Sequence, residues 1–193
     1  MSNPLSHHFF TMACNNAWAN HRLLKACAAL SQDEFIAART SFFPTIRATL
    51  NHTLTVDWFY VDALEREARG EPPHPDCYCF FAQDEPFAIC ADLQREQAAV
   101  DQRLIDYCKV LQDATLDRVV TIARPGTPQH DTRTRLLAHL FQHQIHHRGQ
   151  VHAMLAGTSV KPPQLDEFFC AGEAALRAAD FAELGWRESE IWP

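Results

Sequence analysis

Glycine is scarce in this 193-residue chain, and long hydrophobic runs are missing. The sequence holds six Gly, with no internal repeat and no low-complexity tract, which argues against a solenoid and against a disordered chain. No apolar run approaches the ~20 residues that a membrane-spanning helix needs. The first residues also lack the basic segment and apolar stretch of a secretory signal peptide. We therefore expect a cytoplasmic protein that does not associate with membranes.

Basic side chains are outnumbered by acidic ones. Seventeen Lys and Arg against 24 Asp and Glu give a formal net charge of −7. No cluster of Lys or Arg stands out, so the charge distribution disfavours a nucleic-acid partner. The seven cysteines are scattered and odd in number, which indicates reduced thiols rather than a disulfide framework. With 47% hydrophobic residues, residues 1–193 can form a single domain with a full core.

Apolar residues recur at intervals of three and four along most of the chain, as in amphipathic helices. This spacing predicts a shorter helix at 171–184 and four long helices, at 5–30, at 44–69, from Pro86 to about 111, and from 131 or 132 to about 156. We interpret the short β-branched run 119–122 as an extended connector or a small hairpin. The prediction is an all-α four-helix bundle with a short extra C-terminal helix. The long connections 70–86 and 112–131 leave the order of the helices open.

Two asparagines, Asn16 and Asn20, interrupt the apolar face of the first predicted helix. A polar side chain on such a face needs a partner. Either the two asparagines are buried and hydrogen-bonded, or this face lines something polar.

Histidines are concentrated in the fourth predicted helix, where four of the chain's eleven fall within residues 139–147. His143 and His147 lie one helical turn apart on the same face, a spacing at which two imidazoles can hold one metal ion. The same spacing also occurs in hydrogen-bonded core pairs and in solvated surface pairs. A protease of the His-Glu-x-x-His type is disfavoured, because Gln144 stands where the general-base Glu would be.

A third ligand is available on the second helix, where His52 is the one polar residue of an inward-facing stripe. A lone His on an apolar face is often a satisfied core residue. Three neutral imidazoles with an open fourth position are, however, the arrangement of a catalytic metal site. A di-iron bundle is disfavoured, since the predicted helices carry no Glu-x-x-His motif. The loop residues His74, Cys77 and Cys79 are a weaker candidate for a second site, and a surface loop with reduced thiols is the plainer interpretation.

Several motifs, specific in combination and spread over nearly the whole chain, point to one family. His-x3-His-Arg-Gly-Gln spans His143 to Gln150, with Leu-Ala-His-Leu-Phe-Gln-His before it and Val-His-Ala-Met-Leu after it. Three further segments are Asn-Asn-Ala-Trp-Ala-Asn-His-Arg-Leu-Leu (15–24), Thr-Leu-Asn-His-Thr-Leu-Thr-Val-Asp-Trp (49–58) and Lys-Pro-Pro-Gln-Leu-Asp (161–166). In these motifs the chain resembles the DinB-like (damage-inducible) family of metalloenzymes.

The resemblance implies a four-helix bundle, often a homodimer, with one divalent metal ion held by His52, His143 and His147. Zinc or nickel is the expected metal, and iron and manganese are alternatives, because imidazole serves all of them. Relatives include S-transferases that use low-molecular-weight thiols, while many members have no known reaction. The implied partner is therefore a small-molecule substrate, with a low-molecular-weight thiol as one class.

Two functional hypotheses remain open. The first is a metal-dependent enzyme, a thiol S-transferase or a hydrolase, that activates a thiol or water at the open position. The second is a non-catalytic metal- or ligand-binding protein of the stress response. The two hypotheses are distinguished by whether acid–base groups surround the open position. No Asp or Glu stands beside the ligands on either helix. The candidates for supporting the ligands or facing the substrate are Asn20, His139, His146 and Gln150. A third alternative is a helical bundle that binds no metal.

Two expectations concern packing. Arg148 lies about 140° around the helix from His143, so we expect it to be structural and to pair with Asp62, Glu65 or Glu67. The second helix carries another apolar stripe, at Leu50, Leu54, Val61 and Leu64. Since a bundle has one core, we expect either the C-terminal segment or a second copy of the chain to cover this stripe.

Overall fold

The computed structural model describes residues 4–192 and is almost entirely helical. Seven α-helices are present in this range: α1 (Leu5–Cys27), α2 (Gln32–Ile36), α3 (Ile46–Arg69), α4 (Cys90–Lys109), α5 (Arg133–Leu155), α6 (Ala174–Leu184) and α7 (Glu188–Ile191). Two strands, β1 (Val119–Ile122) and β2 (Gln129–Thr132), and three short 3₁₀ turns, Cys77–Phe81, Asp113–Thr115 and Ala171–Glu173, lie in the connections. The predicted all-α class is confirmed.

The ends of the helices follow local chemistry. Thr132 precedes α5, and its hydroxyl accepts a hydrogen bond from the Arg135 backbone N–H at 3.3 Å, which satisfies a donor that the helix leaves free. Gly70 and Gly185 end α3 and α6 with φ of 69° and 72°, a left-handed conformation that glycine adopts without strain. The first predicted helix ends three residues early, at Cys27 rather than at residue 30.

The four long helices form a ring in the order α1, α4, α3, α5, each packed on its two neighbours. Near the end of α3, Glu67 pairs with Arg133 at the start of α5, so these helices are antiparallel. Glu65, on the same part of α3, pairs with Arg103 in the second half of α4, so α3 and α4 run in the same direction. The long connection 70–89 returns the chain along the bundle and makes this parallel pair possible.

The β-branched run forms the hairpin that was one of its two predicted alternatives. β1 and β2 are antiparallel, with Val119 opposite Thr132 and Ile122 opposite Gln129. Gly126 has a φ of 85° in the connecting turn, which a residue with a side chain would adopt only with strain. The hairpin lies against α3 and α5.

The apolar stripe of α3 is covered within the chain. Leu50, Leu54, Val61 and Leu64 are each no more than 7% exposed. Helix α3 is enclosed by α4 and α5 in the ring and by α2, β1 and the first 3₁₀ turn outside it. The expectation that a second copy or the C-terminal segment covers this stripe is therefore wrong. Dimerisation stays a prediction of the family resemblance, and this stripe does not support it.

The C-terminal segment packs on α1 instead of α3. Arg22 of α1 donates from Nε to Asp180 at 2.6 Å and from Nη1 to Glu167 at 2.7 Å. Phe168 is fully buried and packs on Trp18 with ring centroids 5.6 Å apart. The predicted short C-terminal helix is thus attached to the outside of the bundle by an arginine and an aromatic pair.

Arg148 lies inside the bundle and is 6% exposed. Its Nη1 donates to the side-chain oxygens of Asn16, Asn20 and Gln144, at 3.0 Å for Asn20 and 3.3 Å for Gln144. The alternative in which Asn16 and Asn20 are buried and hydrogen-bonded is therefore the correct one. Three amides from α1 and α5 solvate the charge of one arginine.

The same amides use their nitrogens to reach two buried carboxylates. Asn16 and Asn20 donate to Asp101 at 3.0 Å, and Gln144 donates to Asp57. Gln97 bridges the two carboxylates, at 2.7 Å from Asp57 and 3.2 Å from Asp101. All seven residues are at most 6% exposed. We call this set the buried polar network: Asn16, Asn20, Asp57, Gln97, Asp101, Gln144 and Arg148.

The predicted partners of Arg148 are wrong. Asp62, Glu65 and Glu67 each pair with other arginines. They lie in the last two turns of α3, whereas Arg148 is directed into the middle of the core, where the nearest charges are Asp57 and Asp101. Burial raises the pKa of Asp57 to about 7 and that of Asp101 to about 6. Burial lowers the pKa of Arg148 to about 10, so the guanidinium stays charged at neutral pH.

Within residues 4–192, no helix combines the length and the apolar character needed to cross a membrane. Residues 1–3, to which the signal-peptide argument applies in part, lie outside the described residues.

Replacing Arg148 with Ala removes the one cation of the buried polar network and leaves three amide oxygens without a donor. We expect the free energy of unfolding to fall by about 3–5 kcal/mol, because two carboxylates then share the core without a counter-charge. Urea denaturation of metal-free protein, followed by circular dichroism, measures the change. Arg118→Ala is the control: Arg118 is 55% exposed where it pairs with Glu67, so its loss should cost less than about 1 kcal/mol. Equal losses in both variants would contradict a structural role for Arg148.

Candidate metal centre

Three histidines converge where the first half of α3 faces the middle of α5. His52 Nε2 lies 3.0 Å from His143 Nε2, and the ring of His147 is centred 4.7 Å from that of His52 and 4.3 Å from that of His143. One ligand atom from each residue lies within 4.8 Å of the others. The predicted trio is therefore assembled, and it forms a group that could hold a metal ion.

The helices position the trio through their packing. His143 and His147 share a face of α5 because they are four residues apart, and the antiparallel contact with α3 brings His52 against that face. Burial lowers the pKa of His52 to about 4 and that of His143 to about 3, with a smaller contribution from neighbouring histidines. The pKa of His147 is lowered by burial as well. All three imidazoles are thus neutral at pH 7, the form that binds a metal.

Gln150 fixes the ring of His147. Its side-chain oxygen lies 2.8 Å from His147 Nδ1, and its nitrogen lies 3.1 Å from His146 Nε2. When His147 Nδ1 donates its proton to the amide oxygen, Nε2 is left as the lone-pair nitrogen that can ligate. Of the two roles predicted for Gln150, supporting a ligand or facing the substrate, these contacts fit the first, and His146 lies against the other end of the same amide.

An aromatic residue from the loop between α2 and α3 covers the trio. The ring of Phe43 is centred 4.4 Å from His52 and 5.6 Å from His147. A cavity of about 340 Å³ opens beside it and includes His52, Phe43 and Phe81 in its walls, with Asp84 and Glu85 at its edge. A small molecule can reach His52 from this side.

The other predicted residues lie at different distances from the trio. His139 is one turn before His143 in α5, with its ring 6.1 Å from that of His143 and 5.2 Å from that of Tyr60. Asn20 belongs to the buried polar network and makes its side-chain hydrogen bonds to Asp101 and Arg148. It does not face the site. Gln144, at the position of a zincin glutamate, also bonds within the network, so it is not placed to act as a base on the trio.

Two further groups of potential metal ligands are not candidates for a second metal site. Among the described residues, His74, Cys77 and Cys79 do not come together as a metal-ligand cluster, since the Cys77 thiol donates to the Ala123 carbonyl at 2.6 Å. A cluster of His21, Asp180 and Glu183 does exist. Its two carboxylates already pair with basic side chains of α1. Arg22 lies 2.6 Å from Asp180, and Lys25 lies 2.6 Å from Glu183.

Sequence reasoning missed the residues around the opening. Phe43, Phe81, Asp84 and Glu85 lie in connections without helical periodicity, so no spacing associated them with His52. The one signal in the sequence was the pair Phe42-Phe43 just before Pro44, since adjacent aromatics in a connection suggest a functional surface. The structure leaves Phe42 80% exposed.

A sequence profile of the DinB family matches residues 1–177. The chain belongs to the DinB family. A search of curated proteins returned no match. The family match covers all four helices of the bundle and all three histidines of the trio, and it ends inside α6. Family membership and the all-α fold therefore agree with the motifs found in the sequence.

Gln150→Ala tests the support of His147. Without the amide oxygen, the His147 ring loses the partner that selects its tautomer, and we expect Zn²⁺ affinity to fall by about 10- to 100-fold. Competition with a chromophoric chelator measures the affinity. Gln142→Ala is the matched control, because Gln142 is an exposed glutamine of the same helix. Unchanged affinity in Gln150→Ala would show that the hydrogen bond does not serve metal binding.

Proposed function

We propose that His52, His143 and His147 hold one divalent metal ion, and that this DinB-family protein is a metal-dependent enzyme acting on a small molecule at that site. The observation that carries the proposal is the convergence of three neutral imidazoles from two helices, one of which, His52, lines an opening of about 340 Å³. Zinc or nickel is the preferred ion, with iron or manganese as alternatives.

The trio fits such an ion in its spacing. Two nitrogens that bind one tetrahedral Zn²⁺ at about 2.0–2.1 Å lie about 3.3–3.4 Å apart. The observed separation of His52 Nε2 and His143 Nε2 is 3.0 Å, so the rings need to part by only a few tenths of an ångström. The same 3.0 Å suits a hydrogen bond between two imidazoles, which would hold the site together before metal binds.

The number of ligands favours catalysis over a structural role. Structural zinc sites are closed by four protein ligands, whereas catalytic sites keep a position for water or substrate. Among the described residues, the cluster supplies three histidines. When bound, a divalent ion would supply Lewis acidity, which would lower the pKa of a thiol or a water molecule beside it and so raise the fraction present as the nucleophilic thiolate or hydroxide.

The residues around the opening would serve the substrate. Phe43 and Phe81 supply apolar walls to the opening, and Phe43 also packs on the rings of His52 and His147. Asp84 and Glu85 are the carboxylates nearest this opening, and Glu85 is paired with Arg47. Asp84 is therefore the better placed of the two to accept a proton from an incoming thiol or water. The reaction class we favour is S-transfer to or from a low-molecular-weight thiol, with hydrolysis as the second.

The metal assignment makes a direct prediction about metal content. Protein purified without an affinity tag should contain close to one equivalent of divalent metal, and His143→Ala or His147→Ala should abolish it, because each breaks the pair of imidazoles that one helix holds a turn apart, the chelating unit that His52→Ala leaves intact. His52→Ala should weaken binding strongly. Elemental analysis measures all four proteins. His152→Ala is the control, since its ring bonds the Pro163 carbonyl away from the trio. Undiminished metal in the double variant His143→Ala/His147→Ala would reject the site.

Thiol and water chemistry are separated by a spectroscopic titration. If the fourth position accepts a thiol, cysteine added to Co²⁺-loaded protein should produce a sulfur-to-cobalt charge-transfer band in the near ultraviolet, because Co²⁺ reports on thiolate ligation where Zn²⁺ is silent. Serine, which has a hydroxyl in place of the thiol, is the matched control ligand. A spectrum that cysteine leaves unchanged would reject the S-transfer branch and leave hydrolysis.

A further inference from the structure

A second cavity, of about 170 Å³, lies between α1 and α4, away from the metal centre. Helix α1 supplies one wall through Ala17, Asn20, His21 and Leu24, which share a face at intervals of three and four. The facing wall is a stripe of α4 that includes Ala98 and Asp101, and Leu184 and Trp186 close the top. No residue of the three-histidine trio lines it.

Local sequence explains why space is left here. Ala17 and Ala98 place small side chains on both helices where they face one another. Gly185 then turns the chain after α6 with a φ of 72°, and the Trp186 backbone N–H donates to the Phe181 carbonyl at 2.8 Å. This turn directs Trp186 back over the gap between the helices. The volume is similar to that of cavities that hold a ligand the size of benzene.

One wall of the cavity carries a carboxylate that is almost completely buried. Asp101 is 4% exposed. Three amide nitrogens donate to its Oδ1, from Asn16, Asn20 and Gln97, whereas its Oδ2 receives one bond, from Asn20 at 3.1 Å. A carboxylate oxygen can accept two hydrogen bonds, so Oδ2 keeps capacity for another donor.

The charges around the cavity favour a cation. Neither Lys nor Arg is among the described residues that line it, and the one histidine there, His21, is bonded to Glu183 at 2.9 Å. The counter-charge of Asp101 within the core, Arg148, is separated from it by the amides of Asn16 and Asn20. A buried carboxylate without a directly contacting cation is costly, and an ammonium group entering the cavity would relieve that cost. The indole of Trp186 adds an aromatic face of the kind that attracts cations.

We propose that the cavity between α1 and α4 is a binding site for a small organic ammonium ion with a compact apolar body. The ammonium group donates to Asp101, and the apolar body packs between Leu24, Ile105 and Trp186. This site is independent of the metal centre, and metal-free protein should retain it.

Three ligands of nearly the same shape test the proposal: benzylamine, which is cationic at pH 7, benzyl alcohol, which is neutral, and benzoate, which is anionic. Calorimetric titration of metal-free protein should show saturable binding of benzylamine with a Kd of about 1 mM or lower. Benzyl alcohol should bind about tenfold more weakly and benzoate not measurably. Benzoate binding as tightly as benzylamine, or no saturable benzylamine binding, would overturn the proposal.

Matched variants locate the binding. Ala98→Leu fills the cavity from an exposed position and should weaken benzylamine binding by about tenfold or more. Ala99→Leu adds the same group at the neighbouring exposed position outside the cavity and should leave binding unchanged. Asp101→Asn should abolish the preference for the amine over the alcohol if the variant folds. If it does not fold, the comparison of Ala98→Leu with Ala99→Leu still tests the site. Equal benzylamine affinity in these two variants would show that benzylamine binds elsewhere and would reject the site.

Discussion

The charge of Arg148 in the middle of the bundle is the constraint on which the rest of the structure depends. An arginine cannot lose its proton at neutral pH, so a buried one requires acceptors on several sides. Here the acceptors are amide oxygens, and the amide nitrogens pass the hydrogen bonding on to Asp57 and Asp101. The opposite charges are linked through amides, whose hydrogen bonds are directional, so these bonds form only when α1, α3, α4 and α5 are in register.

This register also determines the candidate metal centre. Gln144 and Arg148 are separated by one turn of α5, and each directly follows a histidine of the trio. Residues one position apart differ by about 100° around a helix. When the network holds Gln144 and Arg148 in the core, His143 and His147 are directed at α3, where His52 lies. The polar core therefore positions the histidines without touching the site, much as outer residues orient ligands in metalloproteins.

The two sides of the bundle offer different chemistry. On the α3–α5 side, three neutral imidazoles cluster and one of them, His52, lines an opening with aromatic walls, which suits a soft or borderline metal and a small substrate. On the α1–α4 side, a buried carboxylate lies beside a cavity capped by an indole, which suits an organic cation. Asp101 belongs both to that cavity and to the buried polar network, so a ligand bound there would act on the same hydrogen bonds that hold α5. Family membership alone establishes neither the metal-dependent reaction nor the binding of an organic cation, because function depends on the site rather than on the fold.

The sequence by itself determined the bundle and the trio of histidines. Helical periodicity is a local property, so the four long helices could be located closely from spacing alone. The i, i+4 spacing placed His143 and His147 on one face, the apolar stripe of the second helix singled out His52, and the DinB motifs agreed with all three. Gln150 could be anticipated because it lies on the same helix, one turn from His147. The tertiary structure alone decided the helix order, the partners of Arg148 and the covering of Leu50 and Leu54. Each of these depends on which face of one helix meets another, a long-range relation that spacing along the chain does not contain. For the same reason spacing did not show that Phe43 packs on His52 or that Asp84 lines the same opening, since both lie in loops.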